Sequence, residues 1–579
     1  MTAYEKEYKK WLESEYFDEK TRNELKAICN NKKEIEDRFF RELEFGTGGL
    51  RGIIGAGTNR MNIYTVRRAT QGMADYINSR FKNDDKSVAV SYDTRHMSKE
   101  FAEETSAVFA ANGIKAYLYT DIRPVPLLSF AVRHLKTNAG IMITASHNPK
   151  EYNGYKAYGS DGAQLSPEQS DYVISYVNKV KKFEDVKVID FNEGLKSGMI
   201  EYIDKKVDED YLDTLEKLVI NKDLFKKCGD KYKIIYTPLH GTGNIPVRNI
   251  LKKIGMNNVV IVKEQELPDP DFSTVRSPNP EEKDAFNIAL DLAASEGAEM
   301  IMGTDPDCDR IGVVCKDNKG EFVVLSGNQT GCLLTEYILS QYTEKKMMPE
   351  NAFIADTIVT SELGKAIAKY YNIELIEVLT GFKFIGEKIL ELDENGDMNY
   401  VFGFEESFGY LMGTHARDKD AVVTAMMIAE MFLYYKDKGM TLYKALTAMF
   451  NKYGYYKEGI TSITLKGKEG LMKITEIMDK LRKDKEGYFP SIDSIIKIKD
   501  YKTSVSYNIK TKETEKLTLP VSNVLYYELE DNCWFCVRPS GTEPKIKIYY
   551  GYKGSSYEDS EKGLGNLSNS ILETINKEL

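Results

Sequence analysis

The segment Gly303-Thr304-Asp305-Pro306-Asp307-Cys308-Asp309-Arg310 places three carboxylates at every second position. In an extended backbone that period puts all three on one side, and Pro306 disfavours a helix there. Apolar runs flank the loop, Met300–Met302 before it and Ile311–Cys315 after it. Three hard oxygen donors on one short loop suit Mg2+, which takes few carboxylates and keeps positions open for phosphate oxygens. A solvated acidic turn would carry the same residues. An EF-hand would not, because the loop lacks Gly at its sixth position and Glu at its twelfth. Arg310, directly after the three Asp, suits either an ion pair within the loop or a substrate phosphate.

A second segment, Thr144-Ala145-Ser146-His147-Asn148-Pro149, follows the apolar run Ile141–Ile143. Pro149 restrains the residue before it and Asn148 favours a turn. Ser146 is therefore expected at an exposed strand end, where its Oγ can reach a ligand. A plain Ser/Asn turn accounts for the segment equally well. A Ser/His/Asp hydrolase lacks support here: no Gly-x-Ser-x-Gly elbow is present, and a His next to a Ser usually points away from it.

Three further loops carry polar chemistry. In Gly403-Phe404-Glu405-Glu406-Ser407-Phe408-Gly409, Glu405 and Ser407 share a side if the chain is extended, and together they can grip sugar hydroxyls. Arg417-Asp418-Lys419-Asp420 sets a Lys among carboxylates, which reads as a solvated surface group or as a positioned acid/base. Arg538-Pro539-Ser540-Gly541-Thr542-Glu543-Pro544-Lys545 combines an Arg, two hydroxyls and glycine-exposed N–H groups, a cradle for phosphate or an ordinary hairpin turn. Gly46–Gly52, which contains Arg51, is not a Walker loop, since no Gly-Lys-Ser/Thr follows. Gly241-Thr242-Gly243 lacks the third Gly of a dinucleotide fingerprint.

These loops need strands and helices to position them. The first ~45 residues read as charged helices. Strand-like Ser87–Tyr92, Ile114–Tyr119 and Gly140–Ile143 then alternate with a helix over Lys99–Asn112, stopped by Gly113. The rhythm repeats with Tyr232–Tyr236, Pro246–Ile254, Asn258–Val262, Ala285–Glu296 and Glu299–Met302. It repeats again with Thr330–Ser340, Ala352–Asp356 and Ser361–Tyr371. Three α/β units in succession are expected, then a strand-dominated α+β domain after about Tyr455. The limits are placed at 1–206, 207–323, 324–455 and 456–579.

Composition bounds the function. The 579 residues are 42% hydrophobic and 29% charged, a globular balance. A net charge of −10 argues against a broad nucleic-acid or anionic-membrane surface. The start, MTAYEKEYKKWLESEYFDEK, has no apolar core of a signal peptide. The most apolar stretch, Ala421–Tyr435, is too short to span a bilayer and reads as a buried helix. Seven scattered cysteines imply reduced thiols and a cytoplasmic setting. Cys533 and Cys536 have no second ligand pair for zinc and read as strand residues on opposite faces.

Taken in order, Thr144–Pro149, Asp305–Arg310, Gly403–Ser407 and Arg538–Thr542 resemble the phosphoserine, metal, sugar and phosphate loops of the α-D-phosphohexomutase family, the phosphoglucomutases and phosphomannomutases. The resemblance runs from about Gly46 to Tyr550. It implies four domains around a central cleft, three mixed-sheet α/β units followed by a smaller α+β domain. It implies an isomerase that moves a phosphoryl group between two hydroxyls of a sugar phosphate, with Ser146 as phosphorylated nucleophile. One Mg2+ per chain would be held by Ser146, Asp305, Asp307 and Asp309. Lys156 and Lys419 would be acid/base lysines, with a pKa lowered by neighbouring cations, and His147 joins the catalytic set. Arg51, Arg310, Gly381, Lys383, Glu405, Ser407, Arg417, Arg538, Ser540, Gly541 and Thr542 would bind substrate.

Glucose 1- and 6-phosphate are the expected substrates, with glucose 1,6-bisphosphate as activating intermediate. Some family members carry a His shortly after the sugar loop. No His stands near Gly409 here, which favours the phosphoglucomutase type over mannose use. Phosphopentomutase, phosphomannomutase and sugar-bisphosphate synthase remain open as alternatives, as do a non-catalytic sugar-phosphate sensor and a Ser-dependent phosphatase. A small sugar phosphate is the expected partner, with no nucleic acid or membrane, and a monomer or homodimer as the assembly.

Overall fold

Alternating apolar runs and amphipathic helices fold into four separate β-sheets in the computed structural model, which describes residues 1–578 apart from 47, 83–84, 204, 466, 485–486, 493 and 541–544. The chain packs as two units. One comprises Met1–Ser326, Phe382–Tyr400 and Ser407–Gly439; the other comprises Gly327–Gly381, Val401–Glu406 and Met440–Leu579.

The first unit opens with helices Ala3–Glu13, Glu19–Ala27 and Lys32–Phe39, whose N-termini are capped by the side chains of Thr2, Asp18 and Asn31. Trp11, Phe17 and Phe39 bury against Tyr64 and Phe183. The first sheet contains β1 (Gly49–Ile53), β2 (Ser87–Tyr92), β3 (Lys115–Tyr119), β4 (Ala139–Ile143), β5 (Tyr152–Gly159) and β6 (Ile200–Ile203), in the order β1-β5-β4-β2-β3-β6. β4 is buried along its whole length, as its unbroken apolar run requires of a strand covered on both faces. Parallel β2 and β4 end side by side, with Tyr92 opposite Ile143. The loops that follow them therefore leave one edge of the sheet together, where ligands of open α/β sheets bind.

The second sheet repeats this design with β7 (Ile234–Thr237), β8 (Val259–Ile261), β9 (Met300–Thr304), β10 (Ile311–Lys316) and β11 (Phe322–Val324), ordered β11-β10-β9-β7-β8. β9 and β10 form an antiparallel pair with Thr304 opposite Ile311. β7 runs parallel to β9 with Thr237 opposite Gly303, so residues 238–243 and 305–310 leave adjacent strand ends. The apolar stretch noted in the sequence is a helix, Ala421–Asp437, buried from Ala421 to Leu433. Its Glu430 carboxylate accepts backbone N–H bonds from Ile220 and Asn221, which satisfies a charge that burial would otherwise penalise. Strands β14 (Asn399–Glu405) and β15 (Gly409–Met412) flank the Glu405–Ser407 turn.

In the second unit, β12 (Ala352–Thr357) and β13 (Glu374–Val378) pair in parallel, with helices Gly327–Glu344 and Glu362–Tyr371 beside them in sequence. The last sheet has seven strands: β16 (Tyr455–Thr464), β17 (Ile495–Asp500), β18 (Val505–Asn508), β19 (Thr514–Lys516), β20 (Leu525–Leu529), β21 (Trp534–Pro539) and β22 (Lys545–Gly554). Their order is β16-β22-β21-β20-β17-β18-β19. Helices Gly467–Lys483 and Tyr557–Asn576 belong to the same core, which buries Ile477, Met478, Phe535, Ile548 and Ile571. Cys533 and Cys536 are buried free thiols.

Candidate active site

The acidic loop is a tight turn and not the extended segment its spacing suggested. Cys308 adopts a left-handed backbone with φ 52°. Asp305 organises the turn, its Oδ1 accepting from the N–H groups of Asp309 (3.2 Å) and Arg310 (3.1 Å). The turn still brings the three carboxylates together: one oxygen from each of Asp305, Asp307 and Asp309 lies within 4.8 Å of the others, and all three side chains are buried. Burial, then the charges of Asp307 and Asp309, push the Asp305 carboxyl well above the usual carboxylate range. Asp307 Oδ1 and Asp309 Oδ1 have no hydrogen-bond partner. Orphaned buried acceptors on clustered carboxylates fit a hard divalent cation.

Ser146 meets this cluster. Its Oγ donates to Asp305 Oδ2 at 2.7 Å and lies 3.3 Å from His147 Nδ1. The side chain is buried, not exposed as the sequence implied, and its backbone is left-handed at φ 53°. For a non-glycine residue that conformation is strained. What holds it is a knot that sequence reasoning missed. The Thr144 hydroxyl accepts from Ser146 N–H at 2.8 Å and donates to Asp93 Oδ2 at 2.6 Å. Asp93 pairs with Arg95 at 3.3 Å. The Arg95 guanidinium then donates to the carbonyls of Ser146, Asn148, Pro149 and Tyr152. One buried cation thus gathers three carbonyls of the serine loop and that of Tyr152. Its signal was a charged Asp-x-Arg directly after a strand at the sheet edge where β4 also ends.

The lysines converge on the same carboxylates. Lys156 Nζ lies 2.7 Å from Asp307 Oδ2 and 3.1 Å from Asp309 Oδ2. Lys419 Nζ lies 3.3 Å from Asp309 Oδ2 and 3.0 Å from Asp418 Oδ1. Asp418 also accepts from Tyr158 OH at 3.0 Å. Burial pulls the Lys156 ammonium down, but Asp307 and Asp309 outweigh it and hold its pKa above the ordinary lysine value. The expected lowering by neighbouring cations is therefore reversed for Lys156, because the carboxylates are closer than any cation. Burial alone would raise Asp309; Lys156, Lys419 and Arg310 overcome it and hold that carboxyl well below its usual range. Burial, then Arg310 and Arg51, hold the His147 imidazole well below its ordinary value, so the ring is neutral at pH 7.

Arg51 is exposed and donates to Asn148 Oδ1 at 3.0 Å, which sets it beside the serine loop. Arg310 pairs with Glu281. Lys383 lies on the helix Phe382–Asn395 with its Nζ 5.2 Å from the Phe384 ring, and Ser407 sits in the turn after β14, not in an extended segment. Arg417 does not join the triad. It is buried, and its guanidinium donates to Asp393 Oδ2 at 2.7 Å and to the Thr414 carbonyl at 2.6 Å.

In the second unit, Gly381 takes φ 121°, a conformation that favours glycine. Glu405 is buried at the end of β14, and Arg538 lies on β21. Ser540 N–H donates to the Lys545 carbonyl at 2.7 Å. Gly541 and Thr542 lie outside the described residues. Beside Glu405, burial and that carboxylate push Glu406 up to about 7, against the pull of Arg538 and Lys547.

Sequence comparison identifies the class of protein. Family models match in chain order: phosphoglucomutase/phosphomannomutase alpha/beta/alpha domain I over residues 42–184, domain II over 209–320 and domain III over 326–453. The chain belongs to this family, the α-D-phosphohexomutases. It is 38% identical over 536 residues to a phosphoglucomutase of Staphylococcus haemolyticus, covering 92% of this chain and 94% of that one. It is 39% identical over 530 residues to a phosphoglucomutase of Staphylococcus aureus, covering 91% and 92%. Among solved structures it shares its fold with the open form of parafusin, a phosphoglucomutase from Paramecium, at a TM-score of 0.68 and 18% identity over 92% of this chain and 95% of that one. A putative phosphomannomutase from Thermus thermophilus gives 0.65 and 23% over 93% and 99%. The protein is thus an intramolecular phosphotransferase of the isomerase class, built from three α/β/α domains and a sheet-rich C-terminal domain.

Proposed function

We propose that this chain is a phosphoglucomutase, interconverting glucose 1-phosphate and glucose 6-phosphate through a phosphoserine at Ser146 and a glucose 1,6-bisphosphate intermediate. The observation that carries the reading is the Ser146 oxygen, held 2.7 Å from Asp305 by a strained loop beside three buried carboxylates. The glucose assignment is supported by near full-length similarity to staphylococcal proteins of that name.

One Mg2+ would be held by Asp305, Asp307 and Asp309 with the Ser146 oxygen, and when bound it supplies positive charge to phosphoryl oxygens. The chain's own groups do the rest. Arg95 and Thr144 present the Ser146 Oγ. The neutral His147 ring lies 3.3 Å from that oxygen and can orient it. Lys156 and Lys419, both within reach of Asp309, are assigned to proton exchange with the sugar hydroxyl. Arg51 and Arg310 are assigned to substrate phosphate, and Gly381, Lys383, Glu405 and Ser407 to the sugar. Arg538, Ser540, Gly541 and Thr542 are assigned to the phosphate that is not reacting. Arg417, whose guanidinium donates to Asp393, is assigned to substrate as well.

The domain limits are proposed at 1–206, 207–323, 324–455 and 456–579. Seven free cysteines support a reducing, cytoplasmic setting, and no helix of the described residues is long and apolar enough to cross a membrane. A monomer or homodimer is proposed.

The test is Ser146→Ala, with the phosphate mapped by intact mass and turnover measured on glucose 1-phosphate. Turnover is expected to fall by about a thousandfold or more, with loss of the protein-bound phosphate. A variant within a few-fold of wild type would sink the proposal. Comparing kcat/KM for glucose 1-phosphate and ribose 1-phosphate separates the glucose assignment from a phosphopentomutase.

A further inference from the structure

The Gly241-Thr242-Gly243 turn binds no dinucleotide by its pattern, and the phosphoryl-transfer chemistry does not use it. It lies, however, at the centre of a continuous set of contacts between the two loops that must meet for that chemistry. On one side it grips the acidic loop. Thr242 donates to the Pro306 carbonyl through both its N–H (2.8 Å) and its hydroxyl (2.9 Å). Gly241 lies so close that a Cβ there would stand 2.5 Å from Pro306 Cα.

On the other side the turn grips residues 267–281. His240 is buried with a left-handed backbone, φ 61°. Its Nδ1 lies 3.0 Å from the Leu267 carbonyl and its Nε2 lies 2.8 Å from Thr274 Oγ1. The partners assign the tautomer: Nδ1–H donates to the carbonyl, and Nε2 accepts from the hydroxyl. Gln265 completes the junction, donating to Thr274 Oγ1 at 3.1 Å and accepting from Thr237 Oγ1 at 2.6 Å.

The held segment in turn presses on the serine loop. Phe272, buried and left-handed at φ 47°, sets its ring 5.1 Å from the Arg95 guanidinium carbon. Ser277 Oγ donates to the His147 carbonyl at 3.3 Å. Asp271 meets His96 at 3.2 Å and Lys150 at 3.1 Å, but these exposed pairs contribute little. The aromatic face over Arg95 is the stronger contact, since the guanidinium is desolvated.

We propose that residues 267–281, anchored on His240, are a clamp that sets the Ser146 loop in register with the acidic loop, with Phe272 and His240 as its positioning residues. Neither residue is assigned to substrate. Each acts through another group, Phe272 through Arg95 and His240 through Thr274 and Leu267. Displacement of the nucleophile by a fraction of an ångström is enough to slow a transfer that depends on alignment. The inference rests on Ser146 being the phosphorylated residue.

The experiment uses full-length wild type, Phe272→Leu and Phe272→Tyr. Three quantities are read: the rate at which Ser146 gains phosphate from glucose 1,6-bisphosphate, followed by intact mass; kcat and KM on glucose 1-phosphate; and melting by circular dichroism. Phe272→Leu keeps an apolar side chain but removes the flat face over Arg95. It is expected to lose about tenfold or more in kcat and in Ser146 phosphorylation, with KM within about twofold, while the ring-retaining Phe272→Tyr recovers most of the loss. A folded Phe272→Leu protein at wild-type kcat overturns the clamp. So does a loss that only follows the unfolded fraction. Should Phe272→Leu not fold, Thr274→Val, which removes the His240 partner at similar volume, is read by the same criteria. If wild type carries no phosphate at Ser146, the functional reading itself fails. If wild type is phosphorylated there and the variants match its rate, only the clamp fails.

Discussion

At the residue scale, buried carboxylates that stand close to one another shift each other's charge. Glu406 is the case with a readable titration. Burial and Glu405 raise its pKa from 4.5 to about 7 in the folded protein. The folded state therefore holds a proton that the unfolded chain has lost between those values. The stability linked to that proton is fully present below about 4.5 and is lost as pH rises through about 7. Glu406→Gln is expected to gain melting temperature relative to wild type on going from pH 5 to pH 8. Melts that stay parallel across that range would count against the raised pKa.

Residue types and spacing singled out the Ser146 and Asp305–Asp309 loops as candidates beside ordinary turns; the roles of Ser146, the three aspartates and Lys156 came from the resemblance of four loops in order. Neither revealed Asp93 and Arg95, since an Asp and an Arg after a strand look like any solvated turn until neighbouring strand ends are known. Nor does sequence supply the partner of Arg417, whose side chain runs to Asp393. The sign of the Lys156 shift needed distances, which no spacing supplies.

At the scale of elements, the periodic signal served well where strands were buried on both faces. β2 spans Ser87–Tyr92 as expected, and β12 covers Ala352–Thr357, one residue beyond the expected run. The acidic loop defeated the same reasoning. A period of two was read as extended backbone, whereas Cys308 turns left-handed and Asp305 caps the turn. Glycine contacts explain why such turns tolerate no bulk. Gly241→Ala would drive a Cβ to 2.5 Å from Pro306 Cα and 2.7 Å from its carbonyl oxygen. Backbone cannot yield as a flexible side chain does, so a cost of about 1–3 kcal/mol is expected. Differential scanning calorimetry should show the lower melting temperature, and titration with Mg2+ should show weaker binding as the acidic loop is displaced. Unchanged values of both would mean that the two loops are not held in contact in solution.

For the whole molecule, the two units are interleaved in sequence. The second contains residues 327–381, 401–406 and 440–579, set around segments of the first. The seven-stranded sheet is different, since its core draws only on residues from Ile463 onward. A fragment of residues 455–579 is expected to fold alone, with a single cooperative melt by circular dichroism. A broad, non-cooperative loss of signal would show that the sheet depends on the rest of the chain. The three earlier sheets were legible as repeats of one rhythm. The interleaving was not, because it depends on which contacts form and not on local pattern.

The helix Ala421–Asp437 has a consequence for synthesis. It is buried for most of its length and packs on the second sheet's helices Asn244–Ile254 and Lys222–Cys228. Those partners leave the ribosome almost two hundred residues before it does. Until it arrives, the nascent chain bears an uncovered apolar face and two backbone N–H groups awaiting Glu430. Translation pauses between residues 327 and 420 would lengthen that exposure, and holding chaperones would find their target there.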